Sequence, residues 1–467
     1  MSKRKKINLI SLAKLPRDAV NIFLSRDNTP VSVLVLSCII GILAGFVATY
    51  FDIAVHFVSE TRTEWLKTEI AHILPLWVIA FIISAALAFI GYLLVHHFAP
   101  EASGSGIPEI EGAMENIRPV RWWRVLPVKF LGGMGALGSG MVLGREGPTV
   151  QMGGSIGRMI TDIFRVKDDD SRHSLLACGA AGGLAAAFNA PLAAIMFVVE
   201  EMRPQFRYSL ISIKAVIISS ISANIVFRYI NGQDAVITMP QYKPPELEHL
   251  WLFLLLGVLF GLIGVLFNKL ITLSQDIFVI LHKNERRRYL LIGSLLGGCF
   301  GLLLLYIPEL TGGGTEIIPN ITNGNYSLNV LILLFIGRFI TTLLCFGSGA
   351  PGGVFAPMLA LGTLFGYAFG LSADVLFPTY SIEPGVFAIA GMGALFAATV
   401  RAPITGILLV IEMTNNYYLI LPLIITSLGA VILAQALGGQ PIYSQLLHRT
   451  LKNDKLRQQD LPKDSQQ

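Results

Sequence analysis

The chain has 467 residues, 53% of them hydrophobic and 14% charged, with a formal net charge of +5 and a mean hydropathy of +0.64. A soluble globule of this length needs more polar surface than that composition supplies, so the sequence is that of a polytopic membrane protein. The excess of positive charge calls for no nucleic-acid partner, because the basic residues gather at the ends of apolar segments, where membrane topology places them.

Along the chain, Lys3, Arg4, Lys5 and Lys6 open a polar, mixed stretch to Asn28 with neither an apolar core nor a small-residue cleavage site. Residues 1–30 are therefore expected to be a cytoplasmic segment and not a signal peptide. Apolar runs at 31–58, 74–97, 209–229, 249–281, 289–307 and 329–346 approach or exceed the roughly 20 residues that span hydrocarbon. The Gly- and Pro-studded stretches 125–143, 148–164, 176–188, 191–200, 354–370 and 385–398 read as broken or tilted helices too short for an upright crossing, which lipid permits only where protein or a water-filled cavity satisfies the loose backbone. Basic clusters at Arg118 to Lys129, at Arg203 with Arg207 and at Lys283 to Arg288 suit the cytoplasmic face, while 231–248, with one Lys and three acids, suits the outside. Both termini are then cytoplasmic. Cys38, Cys178, Cys299 and Cys345 lie in apolar segments without paired spacing and read as small packing residues. A short charged, Gln-rich tail follows Tyr443.

The chain repeats itself. Gly144, Pro148, Gly153 and Gly157 recur as Gly353, Pro357, Gly362 and Gly366, and the stretch from Gly179 through Ala190-Pro191 to Glu200 recurs from Gly391 through Ala402-Pro403 to Glu412. Nearer the start of each half, Gly41, Gly45 and Phe51 match Gly257, Gly261 and Phe267. The duplication gives a first membrane repeat at 31–230, an extracytoplasmic connector at 231–248, a second repeat at 249–440 and a Tyr443 segment with tail at 441–467. Midplane sites built from broken helices favour inverted topology, so the expected fold is all-α, two inverted-topology repeats of tilted and broken helices.

Positions shared by the halves read as scaffold, and positions that differ are free to carry function. Glu200 has its equal in Glu412, each at the end of an Ala-Pro-initiated helix, which makes that pair structural, either capping or hydrogen-bonded to neighbouring backbone. Glu146 falls opposite Phe355 and Glu201 opposite Met413, so these two acids belong to the first half alone. An ionisable residue inside apolar surroundings is a functional candidate.

Three segments share one grammar: Gly104-Ser105-Gly106-Ile107-Pro108, Gly144-Arg145-Glu146-Gly147-Pro148 and Gly353-Val354-Phe355-Ala356-Pro357. Gly allows close backbone approach and Pro begins a helix whose first N–H groups point outward at the positive end of its dipole. Three such starts converging would bind a monovalent anion through dipoles and N–H groups without a full cation that holds it too tightly to leave. Glu146 then competes for the anion position: ionised it occupies the site, protonated it leaves, and anion occupancy and protonation are coupled. A salt bridge from Glu146 to Arg145 is the plainer alternative. Glu201, close to Arg203 and Arg207, reads equally as a surface ion pair.

These motifs, together with the Tyr443 segment and the stretch Glu200 to Tyr208, resemble the CLC chloride channels and transporters over essentially the whole chain, and most nearly the bacterial proton-coupled chloride exchangers. The resemblance implies a homodimer in the bacterial inner membrane with one anion pathway per subunit. It also implies that the hydroxyls of Ser105 and Tyr443 and the N–H groups of Val354 and Phe355 hold chloride, that Glu146 is the external gating and proton-transfer acid, and that Glu201 is the internal one. Chloride and protons are the partners it implies, with no cofactor and no metal. A passive voltage- or pH-gated chloride channel and a secondary transporter for another anion are the alternatives. An enzyme is not expected, since there is no His-Glu-x-x-His and no Gly-x-Ser-Gly, and the Gly133 to Gly138 pattern lies in an apolar segment where close helix packing explains it.

Overall fold

The structure, a computed structural model, describes residues 31–67, 74–202, 206, 208–283, 285–324, 326–380 and 382–459. The expectations for residues 1–30, for Arg203 and Arg207, and for the last residues of the tail lie outside these. In lipid every backbone N–H and C=O must be satisfied within the segment, which leaves the apolar runs no alternative to helix. Seventeen α-helices follow: α1 (Val31–Lys67), α2 (Leu76–Phe98), α3 (Ile107–Met114), α4 (Trp122–Gly138), α5 (Glu146–Ile163), α6 (Asp169–Phe188), α7 (Pro191–Glu200), α8 (Leu210–Asn231), α9 (Leu250–His282), α10 (Arg286–Tyr306), α11 (Ile317–Thr322), α12 (Leu328–Gly347), α13 (Phe355–Leu376), α14 (Pro384–Val400), α15 (Pro403–Thr414), α16 (Ile420–Ala436) and α17 (Ile442–Gln459).

Helices α1 to α8 match α9 to α16 one for one, and α17 has no counterpart among the described residues. The halves meet about a local two-fold: Gly144 and Gly353, which are repeat-equivalent, each donate their N–H to the other's carbonyl at 2.7 Å in an antiparallel bridge. The equivalent helices α7 and α15 lie antiparallel, the C-terminal residue of α7 bonded to the start of α15. The repeats are thus inverted, as expected.

Eight helices among the described residues are long and apolar enough to cross a membrane. They include the six long runs read from the sequence, and two more. The 354–370 stretch is not too short: α13 runs 22 residues, because its glycines dilute hydropathy without interrupting the helix. The segment Tyr417–Ala436 is a further span.

Packing depends on small residues. A methyl group on Gly153 of α5 would overlap the carbonyl of Gly179 on α6, and the same holds for Gly362 of α13 against Gly391 on α14. Without a hydrophobic drive between helices in lipid, such backbone contact supplies the dispersion energy that holds them. Cys178 and Cys345 pack inside, whereas Cys299 is exposed on α10.

Candidate functional site

The three glycine-proline segments meet. The Gly144–Gly353 bridge ties the starts of α5 and α13 together, and Gly353 approaches Gly147 so closely that a Cβ there would stand 3.0 Å from the Gly147 N. Gly147 in turn packs on Ser105, where an added Cβ would lie 2.8 Å from the Ser105 carbonyl oxygen. Gly106, the N-cap of α3, has φ +86°, a left-handed conformation that only glycine adopts without strain. Pro108 sits in the first turn of α3, as the sequence grammar requires.

The loop carrying Ser105 is pinned from several sides. Lys129 Nζ donates to the carbonyls of Ala102 at 2.9 Å and Gly104 at 2.6 Å. Gln151 Nε2 donates to the Glu101 carbonyl at 2.7 Å, and Ser103 Oγ to the Gly349 carbonyl at 2.8 Å. Lys129 is fully buried, which corrects its expected place in a cytoplasmic cluster: its ammonium works inside the protein as a clamp on this loop. Arg118 and Arg121 of the same cluster are ion-paired with Glu109 and Glu101.

The hydroxyls of Ser105 and Tyr443 are buried, and neither has a hydrogen-bond partner of good geometry, though the two side chains face each other closely enough to interact. Tyr443 projects from α17, and its ring stacks on Phe355 at 6.0 Å and 23°. Phe355 begins α13 and also touches Phe188, Phe197 and Phe396 with centroids 5.7, 5.8 and 4.9 Å away. Val354 and Phe355 are both fully buried, and the first N–H groups of α13 fall outside the helical ladder.

Glu146 is buried at the start of α5. Its carboxyl group lies against its own N–H and that of Ala356. It does not pair with Arg145 in the manner the plainer reading required, because the guanidinium of Arg145 is ion-paired with Asp52 of α1.

Two clefts approach this point. One, of about 90 Å³, is lined by Glu146 together with Asp52, His56, Arg145 and Glu316. The other, of about 460 Å³, reaches Ser105 past Gly104, Arg121 and Arg449. Arg121 precedes α4 and is at the second cleft, whereas Leu137 near the end of α4 is at the first. The clefts therefore stand at opposite ends of a 17-residue helix, about 25 Å apart. Between them remain the Glu146 carboxyl and the Ser105 and Tyr443 hydroxyls.

Glu201 caps the end of α7 and is 7% exposed; Arg203 and Arg207 lie outside the described residues. Its neighbour is Glu111 of α3, 1% exposed, with neither carboxyl oxygen hydrogen-bonded. Tyr443 lies within electrostatic reach of Glu201, Glu111 and Glu146 alike. The sequence reading passed over Glu111. A signal existed, since Ile107, Ile110, Glu111 and Met114 share the spacing of one buried helix face. It also passed over Asp52, whose meeting with Arg145 is non-local.

Residues 85–435 match the family described as voltage gated chloride channel. The chain is 80% identical to the H(+)/Cl(-) exchange transporter ClcA of Vibrio parahaemolyticus over 462 residues, covering 99% of both chains. It is 77% identical to the protein of that name from Vibrio cholerae over 465 residues, 100% of this chain and 99% of the other. Among solved structures, that of a slow cyanobacterial Cl-/H+ antiporter superposes with a TM-score of 0.85 at 43% identity, over 90% of this chain and 98% of that one. The inverted helical repeats, the three meeting helix starts and these matches lead to one conclusion: the chain belongs to the voltage-gated chloride channel family, the CLC proteins.

Proposed function

We propose that the protein is a proton-coupled chloride transporter that exchanges chloride for protons across a bacterial inner membrane. The observation that carries this reading is the position of the Glu146 carboxyl. It rests against N–H groups at the starts of α5 and α13, where an anion would sit, and so closes the path between the two clefts.

The cycle follows from that competition. Chloride entering from the Ser105 cleft meets the hydroxyls of Ser105 and Tyr443, which donate to it, and the dipole ends of the helices at Gly106, Glu146 and Phe355. The N–H groups of Val354 and Phe355 hold it there too, and it advances to the N–H groups of Glu146 and Ala356 only when the Glu146 carboxylate leaves them. Leaving requires a proton, because a neutral carboxylic acid no longer competes with chloride for N–H donors. Each chloride that crosses is thereby linked to a change in protonation of Glu146.

Glu201 delivers or receives the proton on the other side, with Glu111 beside it. Phe355, next to the Ala356 N–H that Glu146 meets, contacts Phe197 and Phe188, and the Phe197 carbonyl accepts from the Glu201 N–H; these rings offer no titratable group, so the proton crosses that stretch on water. Glu146 opens toward the outside, the Ser105 cleft toward the cytoplasm. The repeats at 31–230 and 249–440, the outer connector at 231–248, cytoplasmic segments at 1–30 and 441–467 and a homodimer with one pathway per subunit complete the reading, supported by the family and by the relatives' printed activity.

The test is proton movement in liposomes under a chloride gradient with no imposed proton gradient, for wild type, Glu146→Ala and Glu201→Gln. Uphill proton flux in wild type, lost in both variants while chloride flux persists, is the expected result. Chloride flux without proton flux in wild type would make the protein a passive channel.

A further inference from the structure

The Glu146 cleft holds more titratable chemistry than chloride conduction needs. Asp52 and His56 stand one turn apart on α1, with His56 Nε2 3.9 Å from Asp52 Oδ1 and side chains 55% and 14% exposed. Both line the cleft with Glu146 itself. Helix α1 has 37 residues, about 55 Å, whereas hydrocarbon needs roughly 20 residues. Asp52 and His56 interrupt the apolar run and Ser59, Glu60 and Arg62 follow it, and the exposed His56 lines the cleft, so this part of α1 stands in the water-facing mouth.

The other charged groups facing His56 are accounted for. From its own helix comes Asp52, ion-paired with Arg145. Across the cleft, from the loop before α11, comes Glu316, which interacts with Arg62, Arg145 and Arg338. Arg338 in turn donates to the carbonyls of Glu309 at 2.5 Å, Thr311 at 3.1 Å and Gly312 at 2.9 Å, which fixes the loop. Asp52 is thus ion-paired with a guanidinium, and Glu316 stands in the field of three. Among the described residues of the cleft, His56 is the exposed imidazole, whereas Glu146 is buried, Asp52 is ion-paired with Arg145 and Glu316 faces three guanidinium groups.

We infer that His56 is the proton-collecting residue of the outer mouth, standing over the cleft one turn from Asp52 and exchanging protons between bulk solvent and Glu146. The inference rests on the proposed role of Glu146 as the outer proton-transfer acid. In the inward direction a bulk proton binds the imidazole and the imidazolium passes one to water in the cleft. That water passes one to the Glu146 carboxylate, leaving a neutral imidazole and a neutral carboxylic acid; the reverse sequence releases a proton outward. Imidazole is the side-chain type suited to the task, since one ring nitrogen can take up a proton while the other gives one up. Asp52 cannot replace it, because its carboxylate is engaged by Arg145.

The experiment uses the full chain in liposomes, with proton and chloride fluxes recorded together while pH on the Glu146 side is stepped from about 5 to about 8. His56→Gln should slow proton flux several-fold at the alkaline end, where proton supply limits, and leave it unchanged at the acid end. The chloride-to-proton ratio should stay that of wild type, and free imidazole in the outer solution should restore the rate. In a Glu146→Ala background, where no proton step remains, adding His56→Gln should leave chloride flux unaltered. A proton flux that follows wild type at every pH overturns the inference. So does an equal loss of chloride flux in the Glu146→Ala background, which would mark His56 as a residue of the anion path or of the fold. A wild type that moves no protons overturns the exchanger reading first, and this inference with it.

Discussion

Glu200 and Glu412 cap each other's helices. The carboxylate of Glu200 accepts from the N–H groups of Ile404 and Thr405 at 3.2 and 2.8 Å, and that of Glu412 accepts from Leu192 and Ala193 at 3.1 and 2.8 Å. The four partners are repeat-equivalent in pairs, so each half satisfies the orphan donors that its counterpart's broken helix exposes. A carboxylate there also meets the positive end of the dipole. The repeat makes this pair scaffold, and it leaves Glu146 and Glu201, which have no such counterpart, free for other work.

Removing either carboxylate strands two N–H groups at a helix start, one of them part-buried and one on an exposed residue, and the part-buried one costs about 1–3 kcal/mol when left unsatisfied. Glu200→Ala should be the more damaging, because Thr405 Oγ1 also donates to Glu200 at 2.9 Å. The Gln variants should recover part of the loss through the amide oxygen. Denaturation midpoints of the detergent-purified protein measure this, and an equal or reversed order would remove Thr405 from the account.

Tyr443 contributes two separable things to the central site, a hydroxyl and a ring stacked on Phe355 at 6.0 Å. Tyr443→Ala removes both and also removes the plug between the Ser105 cleft and Glu146. Chloride affinity by calorimetry should fall by about tenfold or more, the loss of one charge-assisted hydrogen bond, and the proton yield per chloride should fall with it. Tyr443→Phe keeps the ring, so it should lose less affinity and retain coupling. If the two variants behave alike, the ring has no part in closing the inner side.

Much of this was legible beforehand because lipid enforces it. A run such as 249–281 has no stable conformation in hydrocarbon other than helix, and α9 is found there. Ser105, Glu146 and Phe355 could be placed together because helix starts follow local rules, Gly then Pro, that hold whatever surrounds them. What could not be read is what depends on distant partners. Lys129 looks like a surface charge until the Ala102 and Gly104 carbonyls are seen around its ammonium. Arg145 directly precedes Glu146 in the chain but pairs with Asp52 on α1. Tyr443 lies on α17, outside the repeat, and only the family resemblance singled it out. Glycines 362, 366 and 370 lowered the local hydropathy and hid the full length of α13, although they are what lets α13 pack so closely on α14.

At the exposed start of α6, Asp168 is the N-cap, accepting from the Ser171 N–H at 2.8 Å and from its hydroxyl at 2.6 Å. These bonds hold its carboxyl below the ordinary value of 3.8. A carboxyl lowered on folding stabilises the fold above its unfolded value, and that contribution fades as pH falls through the lower, folded value. Asp168→Asn keeps an acceptor for the cap without the titration. Its stability should therefore match wild type more nearly below about pH 3 than at neutral pH. A constant gap between the two across that range would show that the charge at Asp168 contributes nothing.

Lys129 links the fold to the site, since its ammonium holds the carbonyls on either side of Ser103 and thereby the loop that presents the Ser105 hydroxyl. Lys129→Met preserves the length of the side chain and removes both bonds, leaving two carbonyls without their donor. The loop should loosen, and chloride affinity should drop by about tenfold, with Tyr443→Phe adding little further, since a displaced Ser105 already disrupts the shared site. Lys129→Arg keeps the charge but has to fit a larger, planar group into a site with no exposure, so it should lower stability more than Lys129→Met lowers it. Calorimetric chloride titration and unfolding midpoints for the three variants distinguish the two roles. Should Lys129→Met bind chloride as wild type does, the clamp would be structural only, and the position of Ser105 would be set by Gln151 and by the Ser103 bond to Gly349 instead.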